Sequence, residues 1–279
     1  MPDTSALRKK AERLRELHRP GQPLVLVNAW DCASARIFEE AGSAAIATTS
    51  AGIAFACGYP DGQKIPPALM LEAVARICAS VSVPVTADLE AGYGTSPEEL
   101  ERTVRGMLDA GAVGLNLEDH VGDPADPLVE LPIQLEKIRA VQAAGERLGV
   151  PIVLNARTDP YLRGIGSTGE MFAETIRRGE AFRDAGADCV FVPGVTDPGV
   201  IGDIVKRLAC RVNILAGAGS PPIAELARIG VARVSLGSGP IRAAMSLIRR
   251  LADEVLLRGT YSTLEGITSH ASMNALMRS

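Results

Sequence analysis

The sequence predicts a closed (β/α)8 barrel, and three observations carry that prediction. First, a phrase recurs in which a helical stretch ends in Ala-Gly or Ile-Gly and an apolar run begins two or three residues later. Its copies are EEAGSAAIATTS (39–50), LDAGAVGLNLED (108–119), FRDAGADCVFVPG (182–194) and ARIGVARVSLGSG (227–239). Gly42, Gly111, Gly186 and Gly230 stand where a helix C-terminus needs a left-handed residue, and returns this short belong to α/β units. Second, eight candidate strands begin near residues 24, 44, 83, 113, 152, 188, 212 and 232. Their step of about 30 residues suits one strand, one helix and two loops. Third, no linker interrupts the series, so residues 1–279 read as one domain with the barrel over about 20–250. A doubly wound open sheet is the alternative arrangement.

In chain order, residues 4–18 read as an extra helix ahead of the barrel, and LVLVNAW (24–30) as the first strand. Val-Pro opens the strands at VSVPVTADLE (81–90) and LGVPIVLNAR (148–157), where proline at a first strand residue costs no ladder bond. RVNILAG (211–217) supplies another strand. Helical periodicity covers Ala33 to Ala41, Pro67 to Ser80, Pro97 to Ala110, Pro132 to Leu148, Gly169 to Ala185, Pro198 to Ala209, Pro222 to Ile229 and Ile241 to Leu257. Several of these open on a small polar residue and then proline, as in Thr95-Ser96-Pro97-Glu98-Glu99. Residues 259–279, rich in Ser and Thr, read as a capping or exchanged tail.

Composition narrows the function. Aromatic residues make up 4% of the chain and hydrophobic residues 47%, so the core is built from Ala, Val, Ile and Leu, as in parallel strands buried under helices. A formal charge of −4 provides no basic field for nucleic acid. No apolar run approaches the roughly 20 residues that span a bilayer, and Met1 to Lys10 is polar, so the expectation is a cytoplasmic protein without a membrane partner. The five cysteines are scattered and form no CxxC pair, which reads as buried thiols rather than a zinc or disulfide framework.

Strands buried on both faces are apolar throughout, so polar residues at two-residue spacing near one end stand out. Asn28 and Trp30, then Thr86, Asp88 and Glu90, Asn116 and Glu118, and Asn155 and Arg157 form such sets, each last member at a strand's C-terminal end. In a barrel that end is the mouth where active sites are built. Asp88, Glu90 and Glu118 on neighbouring strands would repel one another and call for a cation. Oxygen-only ligands favour Mg2+, or Mn2+, held partly through water. The other reading makes these acids helix caps or partners of Arg157. Arg157 matches a carboxylate or phosphonate bidentately, against a structural salt bridge to Glu118. Thr48, Thr49, Ser50, Ala51 and Gly52 offer amides for an oxyanion, and Asp61 in GYPDGQ either reaches the metal's water shell or shapes a turn. No lysine falls on a strand, which disfavours a Schiff base. His120 is the only histidine near the mouth, as general acid or base or as a solvated loop residue.

With VNAWDCASARIFEEAG, TTSAGIAFACGYPDG, PVTADLEAGYG, GLNLEDH and LNARTDPY in place, the chain resembles the isocitrate lyase / phosphoenolpyruvate mutase superfamily over roughly residues 20–250. The resemblance implies a Mg2+-dependent barrel in which Asp88 contacts the metal and Glu90, Glu118 and Asp61 support it largely through water. It implies that Arg157 and the 48–52 amides grip an α-keto acid, with Trp30 and Asn155 among the substrate-binding residues, and that an enolate next to a breaking C-C or P-C bond is stabilised. It also implies a homo-oligomer, tetramer or dimer, with the last barrel helix packed on a neighbouring subunit. Departures are plain. Lyases of the isocitrate and methylisocitrate type carry a Lys-Arg/Lys-Cys-Gly-His loop where this chain reads Glu118-Asp119-His120-Val121-Gly122, and a glutamate where it has Val192-Pro193-Gly194. The Lys and Asn of the mutase gating loop and the late histidine of the family's oxaloacetate decarboxylases are absent too. The expectation is a metal-dependent lyase acting on a small 2-oxo or 2-hydroxy dicarboxylate by C-C cleavage or decarboxylation, with Arg157, Glu118 and His120 as catalytic residues. Phosphonopyruvate chemistry is the alternative within the family. The glycines of Ala216 to Ser220 and of Gly237 to Gly239 offer another, a phosphate- or flavin-binding barrel, and a barrel that binds without catalysis is a third.

Overall fold

The computed structural model describes residues 3–120 and 128–278. Among them nine parallel strands form one sheet in the order β1-β9-β8-β7-β6-β5-β4-β3-β2. The strands are β1 (Leu24–Leu26), β2 (Asn28–Ala29), β3 (Ile46–Thr48), β4 (Val85–Asp88), β5 (Gly114–Glu118), β6 (Val153–Arg157), β7 (Cys189–Val192), β8 (Val212–Leu215) and β9 (Arg233–Ser235). The first and second are halves of one stave parted at Val27: β1 pairs with β9 and β2 with β3. The single strand expected over 24–30 is therefore two, and this shared stave brings the sheet round into the predicted α/β TIM-type barrel.

Helices wrap it: α1 (Thr4–Leu17), α2 (Cys32–Glu40), α3 (Ser50–Ala56), α4 (Pro67–Ser80), α5 (Pro97–Asp109), α6 (Leu131–Arg147), α7 (Pro160–Arg163), α8 (Thr168–Asp184), α9 (Pro198–Leu208), α10 (Ile223–Ile229), α11 (Gly239–Asp253) and α12 (His270–Arg278). Their starts follow the cap chemistry. Ser96 Oγ accepts the Glu99 amide at 3.2 Å while Glu99 Oε2 accepts the Ser96 amide at 3.1 Å, closing the capping box at α5. The four return glycines all have positive φ, between 95° and 106°.

The core is aliphatic, with Leu14, Leu26, Ile46, Val74, Leu117, Ile138, Val190 and Ile214 among its buried members. Two short helices, α3 and α7, lay outside the expectation because four to seven residues do not establish a period. The last long helix ends at Asp253 in a π-turn over Glu254–Arg258, short of Leu257 as a regular α-helix. The tail folds back on its own chain: α12 contacts α2, and Arg36 Nη1 donates to the Leu276 carbonyl at 2.7 Å. Of the thiols only Cys189 is buried; Cys57 is exposed, and Cys32, Cys78 and Cys210 are half-buried. The expectation of mostly buried cysteines is corrected, since Cys57 follows α3 into a surface loop.

Candidate active site

Strand register assembles the site. Asp88 pairs with Asn116 and Asn116 with Asn155, forming one row inside the barrel. Glu118 pairs with Arg157 and Arg157 with Phe191, forming the row above it. The C-terminal end opens into a cavity of about 300 Å3 whose wall includes Asn28, Thr49, Ser50, Ala51, Asp61, Asp88, Glu90, Asn116, Glu118, His120 and Arg157. Trp30, Gly52 and Asn155 lie off this wall. Trp30 is half-buried against the core. A Cβ at Gly52 would come within 3.1 Å of Trp30 Cβ and 2.5 Å of Thr49 Cγ2, so a side chain there would collide. Asn155 is fully buried one row down, its Nδ2 donating to Asn116 Oδ1 at 2.7 Å.

The acids are held individually. Asp88 Oδ2 accepts the Ser50 amide at 3.0 Å and its hydroxyl at 2.7 Å, and Asp88 Oδ1 takes the Asn116 side-chain amide at 3.3 Å. The Ser50 amide is thus engaged by Asp88, and the Gly52 amide donates to Thr49 Oγ1 at 3.3 Å. Glu90 does not continue β4, as its two-residue spacing from Asp88 suggests; it sits past the strand end with φ 53°. It accepts from the Gln63 amide and from the Tyr93 hydroxyl, the latter at 3.3 Å. Three of the four non-glycine residues with positive φ among the described residues, Gln63, Glu90 and Tyr93, belong to this cluster, and strain of this kind concentrates at functional sites. Asp61 lines the cavity and also closes a turn, its Oδ1 accepting the Gly62 amide at 3.0 Å.

The electrostatics follow from crowding. Burial, and then the neighbouring Asp88, push the Glu90 carboxyl up to about 7. Burial also raises Glu118, opposed by Arg157 and reinforced by Asp159, Asp88 and Glu90. Arg157 is raised by Glu118 and Asp159 against its own burial. The salt bridge to Glu118 left open by the sequence is present, and Arg157 also forks onto Asp159, Nε to Oδ1 at 2.6 Å and Nη2 to Oδ2 at 2.7 Å. Three of its five donors are thereby committed, and the other two, one on Nη1 and one on Nη2, sit beside the cavity. Beneath them Asp119 accepts from Thr158 Oγ1 at 2.7 Å, the Asp159 amide at 3.1 Å and Arg178 Nη1 at 3.3 Å.

Asp159, Asp119, Gln63, Lys137, Arg163 and Arg242 escaped the sequence reading. Asp159 stands two residues beyond Arg157 in the quoted motif, which was the available signal. Lys137, on α6, donates to the Ala91 carbonyl at 2.7 Å and so braces the Leu89 to Gly94 turn. Arg163 and Arg242 line the cavity. Of the late glycine segments, Gly237 and Ser238 reach the cavity wall, whereas Ser220 Oγ takes the Gly217 amide at 3.0 Å and Ala216 to Ser220 stays off it. His120 lines the cavity and is buried; residues 121–127, which follow it, lie outside the described residues.

Among the described residues no three His, Cys, Asp or Glu side chains are grouped so as to hold a metal ion by themselves. Mg2+ does not require such a group, since it keeps several waters and uses one or two carboxylates. Four acids at one cavity, two of them pushed up by burial first and by acidic neighbours after it, are a donor set that suits a hydrated divalent ion.

Acids and a guanidinium at the C-terminal mouth of the barrel stand where barrel enzymes carry their active sites. The phosphoenolpyruvate phosphomutase family matches residues 14–256, and the chain belongs to that family, within the isocitrate lyase / phosphoenolpyruvate mutase superfamily. Its relatives include 2-methylisocitrate lyase of Escherichia coli strain K12, 28% identical over 260 residues, 86% of this chain and 84% of the relative. Oxaloacetate acetylhydrolase in complex with the product oxalate superposes with a TM-score of 0.84 at 28% identity, over 96% of this chain and 93% of that one. A complex of phosphonopyruvate hydrolase with oxalate and Mg2+ shares the fold, with a TM-score of 0.82 at 24% identity, over 100% and 95% of the two chains. The chain is an enzyme of this type. Among the described residues no helix is long and apolar enough to cross a membrane.

Proposed function

We propose that the protein is a Mg2+-dependent lyase that breaks a C-C bond in, or decarboxylates, a small 2-oxo or 2-hydroxy dicarboxylate. The observation that supports this most is the meeting of Asp88, Glu90, Glu118 and Asp61 with Arg157 in one cavity. When bound, Mg2+, or Mn2+ in its place, would supply Lewis-acid charge where an enolate oxygen develops; Asp88 would hold it, with Glu90, Glu118 and Asp61 acting through water.

The remaining work falls to the chain. Arg157 binds the substrate carboxylate, and Asp159 and Glu118 fix the guanidinium plane, so little side-chain freedom is lost on binding. Ser50 and Asn116 hold both oxygens of Asp88 in place. His120, inside the same wall, is the proposed acid or base that moves the proton at the reacting carbon. The five free cysteines fit a reducing compartment, in keeping with a cytoplasmic enzyme. A screen of keto- and hydroxy-diacids for Mg2+-dependent release of pyruvate or glyoxylate tests the reading. The wild type releases one of them, and Asp88→Ala abolishes release while circular dichroism stays unchanged. Full activity in Asp88→Ala refutes the metal assignment.

A further inference from the structure

Below the mouth, the inside of this barrel is polar where such barrels are filled mainly by branched aliphatic side chains. Thr86, Asn155, Asn213 and Arg233 are all buried there, each at most 2% exposed. Arg233 is the costly member, because a cation taken out of water needs a partner to offset its lost hydration. Among the described residues it makes no ion pair, and its Nε and Nη1 have no hydrogen-bond partner. Its one bond runs toward the site. Counted round the eight staves, β5 stands opposite β9, and Arg233 Nη2 crosses the barrel to donate to Asn116 Oδ1 at 3.3 Å. Asn155 Nδ2 donates to the same oxygen at 2.7 Å. Asn116 Nδ2, on the other end of that amide, donates to Asp88 Oδ1 at 3.3 Å, while Ser50 holds Asp88 Oδ2.

We infer that Arg233 is a positioning residue for the proposed reaction: from inside the barrel it fixes which end of the Asn116 amide faces Asp88, and so holds Asp88 Oδ1 in place for the ion. The inference rests on the lyase reading, because that reading makes Asp88 the residue in contact with Mg2+. A guanidinium only donates, an ionised carboxylate only accepts, and an amide does either. Asn155 does not set the direction alone, since its own amide can turn and offer an oxygen to Asn116 Nδ2. In that turned arrangement the Asn116 carbonyl faces the Asp88 carboxylate, and the two repel. Arg233 excludes it, because Asn116 Nδ2 would then meet the guanidinium donor to donor. The bonds from Arg233 through Asn116 to Asp88 therefore run in one direction, and bonds in such a chain strengthen one another. The charge of Arg233 works the other way: a cation beneath the site repels a divalent ion. Removing Arg233 weakens ion binding if it acts by positioning and tightens ion binding if it acts by its field.

Mn2+ titrations, followed by the spin-resonance signal of the free ion, separate the two. Arg233→Met removes donor and charge together. Arg233→Gln keeps polar atoms in the core but can present either end of its amide, and Arg233→Lys keeps an end that only donates. Arg233→Met and Arg233→Gln weaken Mn2+ binding by roughly 3- to 10-fold, the scale of one hydrogen bond, and Arg233→Lys weakens it less. On top of Asn116→Leu, either substitution adds less than about twofold, because the group that carries the effect is gone. Circular dichroism checks each fold, and Arg233→Gln carries the test if Arg233→Met does not fold. Tighter or unchanged Mn2+ binding, equal weakening by Lys and Gln, or an effect that persists in full on top of Asn116→Leu overturns this inference and leaves the lyase reading standing. A wild type that binds no Mn2+, or whose Mn2+ binding survives Asp88→Ala, overturns both.

Discussion

Arg157 illustrates how partners, rather than spacing, decide what a residue can do. Its position was legible because an arginine at a buried strand end is rare, yet the fork to Asp159 was not, since an aspartate two residues on reads equally well as a turn or a cap. Glu90 was legible as an acid near the mouth and illegible as a left-handed residue, because its conformation is imposed by contacts with Gln63 and Tyr93 that only the fold brings together. His18, just past α1, makes a prediction at the same scale. It is buried, its Nδ1 lies 2.8 Å from the Leu14 carbonyl, and burial, with nearby Arg233, pushes its pKa down from 6.5 to about 3. A base whose folded pKa lies below its unfolded one contributes stability that is complete above 6.5 and is lost as the pH falls toward about 3. The melting temperature therefore falls with pH below 6.5, and more shallowly in His18→Gln. Identical slopes in the two proteins contradict this account.

Elements position what residues cannot position alone. The strands and long helices could be read from Val-Pro openings, Ala-Gly returns and a capping box because each of these signals is local. The short α3 and α7 could not, although α3 carries Ser50 and α7 carries Arg163. The placement of α7 comes from close backbone approach. At Gly194, after β7, φ is 89°, and a Cβ there would sit 2.7 Å from the Leu162 backbone nitrogen in α7. The obstruction is backbone, which does not swing aside as a side-chain end would. Gly194→Ala is expected to cost about 1–3 kcal/mol, combining a disfavoured φ with that collision. At roughly 2–4 °C per kcal/mol for a chain of this size, thermal melting resolves the loss. An unchanged melting temperature would show that α7 is free to shift.

At the level of the whole molecule, barrel closure was legible from the count of repeats, and the split first stave was not, because pairing to two neighbours is a property of the ring. The outer surface carries a further message. Along α11 and beyond it, Met245, Leu247, Ile248, Leu256, Leu257, Tyr261 and Ile267 are exposed, with Leu256 at 81% and Leu257 at 79%. Apolar exposure on this scale marks an interaction surface, and the proposed occupant is another copy of the chain, as a dimer or tetramer. Light scattering coupled to size exclusion is expected to give a multiple of 29.3 kDa. Leu256→Glu/Leu257→Glu should lower that mass, and a wild-type monomer would contradict the assignment. The central claim concerns the ion. Crystals grown with Mn2+ and oxalate, measured at the manganese edge, test it most directly. An anomalous peak in the mouth, with Asp88 in contact and Glu90 and Glu118 around it, is the predicted result. Oxalate bound in the cavity without such a peak, or a peak elsewhere on the molecule, would contradict it.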